Sequence, residues 1–150
     1  MTRLVATVLS LGLAVAAAAE ARADVAGAGR VRFLNVAIYV DAGAKSLAAW
    51  QLEFLVRAGD VEVVGVEGGE HAAYADPAYY DPSALREDRL VLAAFDTGAN
   101  VPTGRTRVAT LHLMVRGAAA AEFDVRLVVA ADRDGRSFDA AVEFEEGGVR

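Results

Sequence analysis

The stretch from Leu90 to Val115, LVLAAFDTGANVPTGRTRVATLHLMV, restricts the possible fold more than any other part of the chain. Its second half alternates between apolar and polar residues, which is typical of a strand with one buried face. Its first half, 90–95, is uniformly apolar and predicts a strand that is covered on both sides or lies near the centre of a sheet. The buried face of the second strand would carry Ala109, Leu111, Leu113 and Val115.

Between these two runs, residues 96–105 are rich in glycine, asparagine and proline, which favour turns and interrupt strands. We therefore expect a surface loop there. Both flanking runs are too short for ordinary helices, so this region predicts β structure.

The same two-residue period recurs along the chain and predicts at least seven strands, without a long helix or an internal repeat. Many short strands at close spacing are typical of a β-sandwich. We predict an all-β protein, a single β-sandwich with jelly-roll topology and about seven to nine strands. The predicted inward residues are Leu34, Val36, Ile38 and Val40; Trp50, Leu52, Phe54 and Val56; Phe123, Val125, Leu127 and Val129; and Phe138, Ala140, Val142 and Phe144.

Residues 1–23 have the features of a signal peptide: Arg3 near the start, an apolar run, and Ala21-Arg22-Ala23, which fits the small-x-small cleavage rule. The alternative is a membrane anchor, but the run is shorter than the roughly 20 apolar residues that span a bilayer. We predict cleavage after Ala23, a domain at 24–150, and an exported protein, periplasmic or secreted, that does not span the membrane.

The charge and the cysteine content exclude several classes of function. The chain has 15 basic and 21 acidic residues, and Lys45 is its only lysine, so nucleic-acid binding is not predicted. Without cysteine there are no disulfides and no thiolate metal sites. The two histidines, His71 and His112, are too few for a typical zinc site. We predict no metal and no cofactor.

Residues 70–89, EHAAYADPAYYDPSALREDR, break the alternation. Asp81 followed by Pro82 resembles a helix N-cap with proline in the first position, which predicts one helical turn at 82–87. Three tyrosines in this segment could form a stacking platform for sugar rings. The alternative is that they cover the edge of the sandwich and anchor the loop. They are Tyr74, Tyr79 and Tyr80.

Two further patterns invite a chemical interpretation. Asp132, Asp134 and Gly135 resemble the start of a calcium loop, but Ala140 and Ala141 stand where further oxygen ligands would be needed, so a β-turn is the better prediction. None of the serines lies in a nucleophile-elbow motif. No residue constellation demands a reaction, and we predict that the protein is not an enzyme.

The order of features resembles the cohesin domain family, secreted β-sandwiches that bind dockerin modules and are related in fold to some carbohydrate-binding modules. Three stretches carry the resemblance: WQLEFLVRAGDVEVVGVEGG, LVLAAFDTGANVPTGRTRVATLHLMVRG and EFDVRLVVAA. The sequence departs from the family pattern at 57–60, where Arg-Ala-Gly-Asp replaces the usual tyrosine-aspartate-proline phrase. The resemblance implies a cohesin-like topology and a dockerin-like protein partner.

The predicted function is thus an exported, non-catalytic binding module that mediates a dockerin-type protein interaction. The alternative is a carbohydrate-binding module that holds polysaccharide through the tyrosine-bearing loop, and a third possibility is a structural envelope component. The candidate ligand-binding residues are the three tyrosines and two residues of the 96–105 loop, namely Tyr74, Tyr79, Tyr80, Asp96 and Asn100.

Overall fold

The computed structural model describes residues 29–148, so the predicted signal peptide lies outside the described residues. Within this range the chain forms seven strands and two short 3-10 helices. They are β1 (Val31–Asp41), β2 (Ala49–Ala58), β3 (Asp60–Gly68), η1 (Ala72–Tyr74), η2 (Pro82–Arg86), β4 (Arg89–Phe95), β5 (Arg105–Arg116), β6 (Glu122–Ala131) and β7 (Ala141–Gly148).

The strands form two antiparallel sheets that pack face to face. Sheet A has the order β3-β5-β1-β7, and sheet B has the order β4-β2-β6. The predicted all-β sandwich is therefore confirmed, with seven strands. Because β4 lies in sheet B and β5 in sheet A, the loop at 96–104 crosses from one sheet to the other.

The core lies between the sheets and is made of the alternating residues that the sequence predicts. Val36, Ile38 and Val40 of β1 are fully buried, and Leu52 and Phe54 of β2 lie opposite them. Burial of each such side chain contributes about 1.5 to 3 kcal/mol on transfer scales. In β5 the predicted Ala109, Leu111, Leu113 and Val115 are fully buried, and Val108 and Thr110 are buried as well, at 1% and 8% exposure.

Three strand predictions need correction. β4 is an edge strand of sheet B, not a central or doubly covered one, and its last residue Phe95 is exposed. The pairing of β6 with β2 shifts register between Gln51 and Leu52 of β2. This shift reverses the alternation in β6, so Val129 is exposed and Ala130 is buried. The last strand begins only at Ala141.

The irregular segment after β3 closes one open side of the sandwich. Tyr74 is only 2% exposed, and its ring meets that of Trp50 edge-on with 5.9 Å between the centroids. Burial raises the pKa of the Tyr74 phenol above its usual value. The predicted turn is also present: η2 begins after Asp81, whose side chain accepts a hydrogen bond from the Ser83 amide.

The free edge of β7 carries charge on both faces. Glu143 and Glu145 lie on the outer face, and Glu146 pairs with the inward residue Val36 and so lies on the inner side. Charges of this kind at a sheet edge oppose pairing with a strand of another molecule. Within residues 29–148, neither of the two 3-10 helices is long or apolar enough to cross a membrane.

Candidate protein-binding face

The outer face of sheet B is the candidate functional site, because it gathers exposed apolar side chains on one surface. It is formed by the residues of β4, β2 and β6 that alternate with the core residues. We call these residues, together with Tyr79, the sheet B face: Gln51, Glu53, Leu55, Val91, Ala93, Phe95, Asp124, Arg126, Val129 and Tyr79.

Tyr79 extends this face beyond the edge strand. Its amide donates to the Ala93 carbonyl at 2.8 Å, and the Ala93 amide donates back to the Tyr79 carbonyl at 3.0 Å. This single antiparallel bridge brings the Tyr79 ring beside that of Phe95, nearly parallel to it at 6.1 Å between centroids. Tyr79 is 71% exposed and Phe95 is 64% exposed. Two large rings are therefore presented to solvent side by side.

The charges of the sheet B face are paired with one another. Arg89 forms an ion pair with Glu53, and Asp124 accepts from both Arg57 and Arg126 at 3.2 Å. The hydrogen bond from Arg57 is the main reason that the pKa of Asp124 lies below its usual value. These pairs lie toward the Leu55 end of the sheet, whereas Phe95 lies at the opposite end beside Ala49.

The outer face of sheet A also has its polar groups in ion pairs and hydrogen bonds, but among residues 29–148 it carries no stacked pair of exposed rings. Arg105 lies 3.6 Å from the centre of the Tyr39 ring and pairs with Glu143 and Glu145 of β7. The His112 ring lies between Asn35 Oδ1, at 2.7 Å from Nδ1, and Glu67 Oε1, at 3.0 Å from Nε2. Exposed apolar residues also occur here, at Val31, Phe33 and Val64.

The chain has structural relatives but no match at the level of sequence. No protein-family model and no curated protein sequence matches the chain. Among solved structures, a non-cellulosomal cohesin from the archaeon Archaeoglobus fulgidus superimposes with a TM-score of 0.57 at 14% identity, over 74% of this chain and 75% of that chain. The chain has the cohesin fold.

Two further cohesins of the same fold come from Clostridium thermocellum, and both were solved as type I cohesin–dockerin complexes. One has a TM-score of 0.57 at 8% identity and covers 71% of this chain and 81% of that chain. The other has a TM-score of 0.56 at 12% identity and covers 77% and 84%. The predicted resemblance is thus confirmed for the fold.

The cohesin-like sandwich separates the three candidate tyrosines. Tyr74 is a core residue and presents no ring to solvent, which corrects its assignment to a surface platform. Tyr80 is half-buried and packs against the core. Only Tyr79 is well exposed. The alternative interpretation, in which the tyrosines cover the edge of the sandwich and anchor the loop, thus describes Tyr74. Its large ring fills the opening between the sheets.

The two candidate residues of the 96–104 loop lie outside the sheet B face. Asp96 shapes its own loop: its Oδ1 accepts from the Gly98 amide, and its amide donates to the Ala48 carbonyl at 2.8 Å. Asn100 is exposed and lines a polar cleft with Glu70 and His71, near β5. The structure therefore does not bring Asn100 and Tyr79 into one site.

Phe95 and Val129 were missed as candidate binding residues. The uniformly apolar run at 90–95 contained the signal, because an edge strand with apolar residues on both faces must expose some of them. In the described part of the chain, no group of three histidine or acidic residues is placed to hold a metal ion. Asp132 instead accepts from the amides of Asp134 and Arg136, as the predicted turn requires.

Proposed function

We propose that this protein is an exported, non-catalytic cohesin-like module that binds a dockerin-type protein partner through its sheet B face. The observation that carries the proposal is the exposed ring pair of Tyr79 and Phe95 at one end of the sheet B face, with the ion pairs at the other end. The two Clostridium thermocellum cohesins of this fold, solved with dockerins, support the kind of partner.

The face has the composition of a protein-binding surface. Aromatic side chains are enriched at the centres of protein interfaces, where they bury large areas with few rotatable bonds. The half-buried Val91 and Ala93 continue the apolar surface beside Phe95, and Val129 extends it across β2. The paired charges around Glu53 and Asp124 form a polar rim whose groups already have partners.

The absence of a catalytic role is part of the proposal. The sequence contains no nucleophile motif, and the histidine of β5 is held by Asn35 and Glu67 on the opposite sheet. Polysaccharide binding by the tyrosine segment is not proposed, since Tyr74 is buried in the core and Tyr80 packs against it.

The binding proposal can be tested by calorimetric titration of the mature protein with a panel of purified dockerin modules, including type I dockerins of Clostridium thermocellum. At least one should bind. Phe95→Ser should weaken that binding by about 30-fold, because loss of a central aromatic contact costs about 2 kcal/mol. Phe33→Ser, an exposed ring on sheet A, is the matched control and should leave the affinity unchanged.

Two results would contradict this assignment. If no dockerin in the panel binds, the partner class is wrong. If a dockerin binds equally well to the Phe95→Ser variant but not to the Phe33→Ser variant, the face is wrong. Export can be tested separately by N-terminal sequencing of the protein from the producing cell, which should begin at Asp24.

A further inference from the structure

A polar cleft of about 530 Å³ adjoins the end of sheet B at which Phe95 lies. Its walls are three loops that continue the strand order of the sheet. Thr97 follows β4, Lys45 and Ser46 precede β2, and Asp132 to Asp134 follow β6. The cleft is therefore contiguous with the sheet B face and could be covered by the same partner.

The acidic groups of the cleft are already engaged. Asp132 Oδ1 accepts from the Asp134 amide at 3.0 Å and from the Arg136 amide at 2.9 Å. The carboxylate of Asp134 forms an ion pair with Arg136 at 3.1 Å. Both carboxylates thus hold the turn between β6 and β7, and the charge of Asp134 is balanced by Arg136.

Lys45 and Arg133 differ from most cations of the molecule. Arg57, Arg89 and Arg116 all form ion pairs, whereas within residues 29–148 neither Lys45 nor Arg133 pairs with a carboxylate. Both are exposed, and they line the same cleft. With Asp134 balanced by Arg136, these two cations outnumber the one remaining carboxylate of the cleft, that of Asp132, so the cleft is locally positive on a chain whose net charge is −6.

The loops that carry these cations are fixed by backbone hydrogen bonds. The Lys45 amide donates to the Ala42 carbonyl at 3.0 Å, and the Gly104 amide donates to the Gly43 carbonyl at 2.7 Å. The turn that bears Arg133 is closed by a hydrogen bond from the Gly135 amide to the Asp132 carbonyl, also at 3.0 Å. The cleft is therefore formed before any partner binds, which lowers the entropic cost of binding.

We infer that the cleft is a subsite for an acidic side chain of the protein partner. This inference rests on the proposed function. A partner whose apolar residues cover Phe95 would place an aspartate or glutamate between Lys45 and Arg133. The hydroxyls of Ser46 and Thr97 line the same space and can donate to a carboxylate. Because the net charge of the chain repels acidic partners, this subsite would fix the orientation of binding as well as its strength.

The test uses a display library built on one dockerin scaffold, with its surface positions randomised and selected against the mature protein. Binders that lose affinity for the Phe95→Ser variant are kept and sequenced. We expect aspartate or glutamate to be enriched at one or more positions of these binders. The double substitution Lys45→Gln and Arg133→Gln should weaken them by about tenfold and reduce the salt dependence of binding.

The matched control is Arg86→Gln, which removes an exposed arginine of η2 that is paired with Glu62 and lies outside the sheet B face and the cleft. It should change the affinity much less. In the binder, replacing the selected acid by its amide should lower the affinity for the wild-type protein but not for the double variant. Unchanged circular dichroism would show that the variants are folded.

The outcomes separate the subsite from the proposed function. The selected binders could need Phe95 and yet show no acidic enrichment and tolerate the double substitution. That result would contradict the subsite but not the proposed docking face. Failure to obtain any binder that depends on Phe95 would count against the docking face itself. If titration with free glutamate saturates the cleft while selected binders ignore the double substitution, the cleft is a small-anion site and the inference is wrong.

Discussion

The hydroxyl of Tyr74 donates a hydrogen bond to the carbonyl oxygen of Leu47 at 2.7 Å, joining two residues that lie 27 positions apart in the chain. Leu47 is fully buried in the connection between β1 and β2, and Tyr74 ends the first 3-10 helix. The contact ties the irregular segment to the connection between β1 and β2.

Tyr74→Phe should therefore lower the free energy of unfolding by about 1 to 2 kcal/mol, because it leaves a buried carbonyl without its donor. Urea denaturation followed by tryptophan fluorescence would report on this directly, since Trp50 packs against the Tyr74 ring. Tyr79→Phe is the control and should be neutral within about 0.5 kcal/mol. Equal stability of Tyr74→Phe and the wild type would contradict the role assigned to this hydrogen bond.

Gly68 lies where the chain leaves β3 and passes close to the following segment. A Cβ atom at this position would collide with the backbone carbonyls of Ala75 and Asp76, which cannot move aside as a side chain could. Gly68→Ala should thus destabilise the fold by about 1 to 3 kcal/mol in thermal or urea unfolding. Gly148→Ala, where a Cβ atom meets nothing within 4 Å, is the matched control.

Acid should weaken the Arg116–Glu62 ion pair of sheet A. Arg116 hydrogen-bonds Glu62 at 2.6 Å and lowers the pKa of that carboxyl below its usual value of 4.5. A carboxyl with a lowered pKa stabilises the folded state above its unfolded pKa, and this contribution is lost as the pH falls through the folded pKa. The free energy of unfolding should then decrease below about pH 4.5.

This decrease can be measured by urea titrations at a series of pH values. Glu62→Gln should make the dependence shallower, and adding Arg116→Gln in the same chain should change the slope little further, since the pair has already been broken. A slope that is the same in wild type and Glu62→Gln would show that this pair makes no contribution.

The charges at the edge of β7 should keep the protein from associating with itself, and a single substitution at Glu146 tests this. Glu146→Val would remove the charge on the inner side of the edge strand and extend an apolar row that includes Phe144. We expect concentration-dependent association in analytical ultracentrifugation. Glu87→Val, in the loop after η2, changes charge and size in the same way without touching an edge and should remain monodisperse.

The sequence was sufficient for the class of fold and for most of the core, because the alternation in β1 and β2 corresponds to burial. In β5 the alternation holds only from Leu111 onward, since Val108, Ala109 and Thr110 are all buried. It failed where neighbouring strands determine the outcome. The reversed burial of Val129 and Ala130 results from a register shift against β2. The edge position of β4 depends on strand order, and an apolar run alone does not distinguish an edge strand from a central one.

The candidate site was predicted less well, for a related reason. Tyrosine spacing in an irregular segment carries no period, so nothing in the sequence separates the buried Tyr74 from the exposed Tyr79. The exposure of Phe95 and its contact with Tyr79 depend on one backbone bridge to Ala93, which only the folded chain reveals.

The pairing of β1 has a consequence for how the protein reaches its folded state. Val31 pairs with Arg116 on one side, and Leu34 pairs with Gly148 on the other, so both neighbours of the first strand are distant from it in sequence. Contacts this distant in sequence make folding slow, on the order of milliseconds to seconds for β-sandwiches. The β1–β5 pair at the centre of sheet A cannot form until residue 116 has been made, and the other side of β1 stays unpaired until β7 is available.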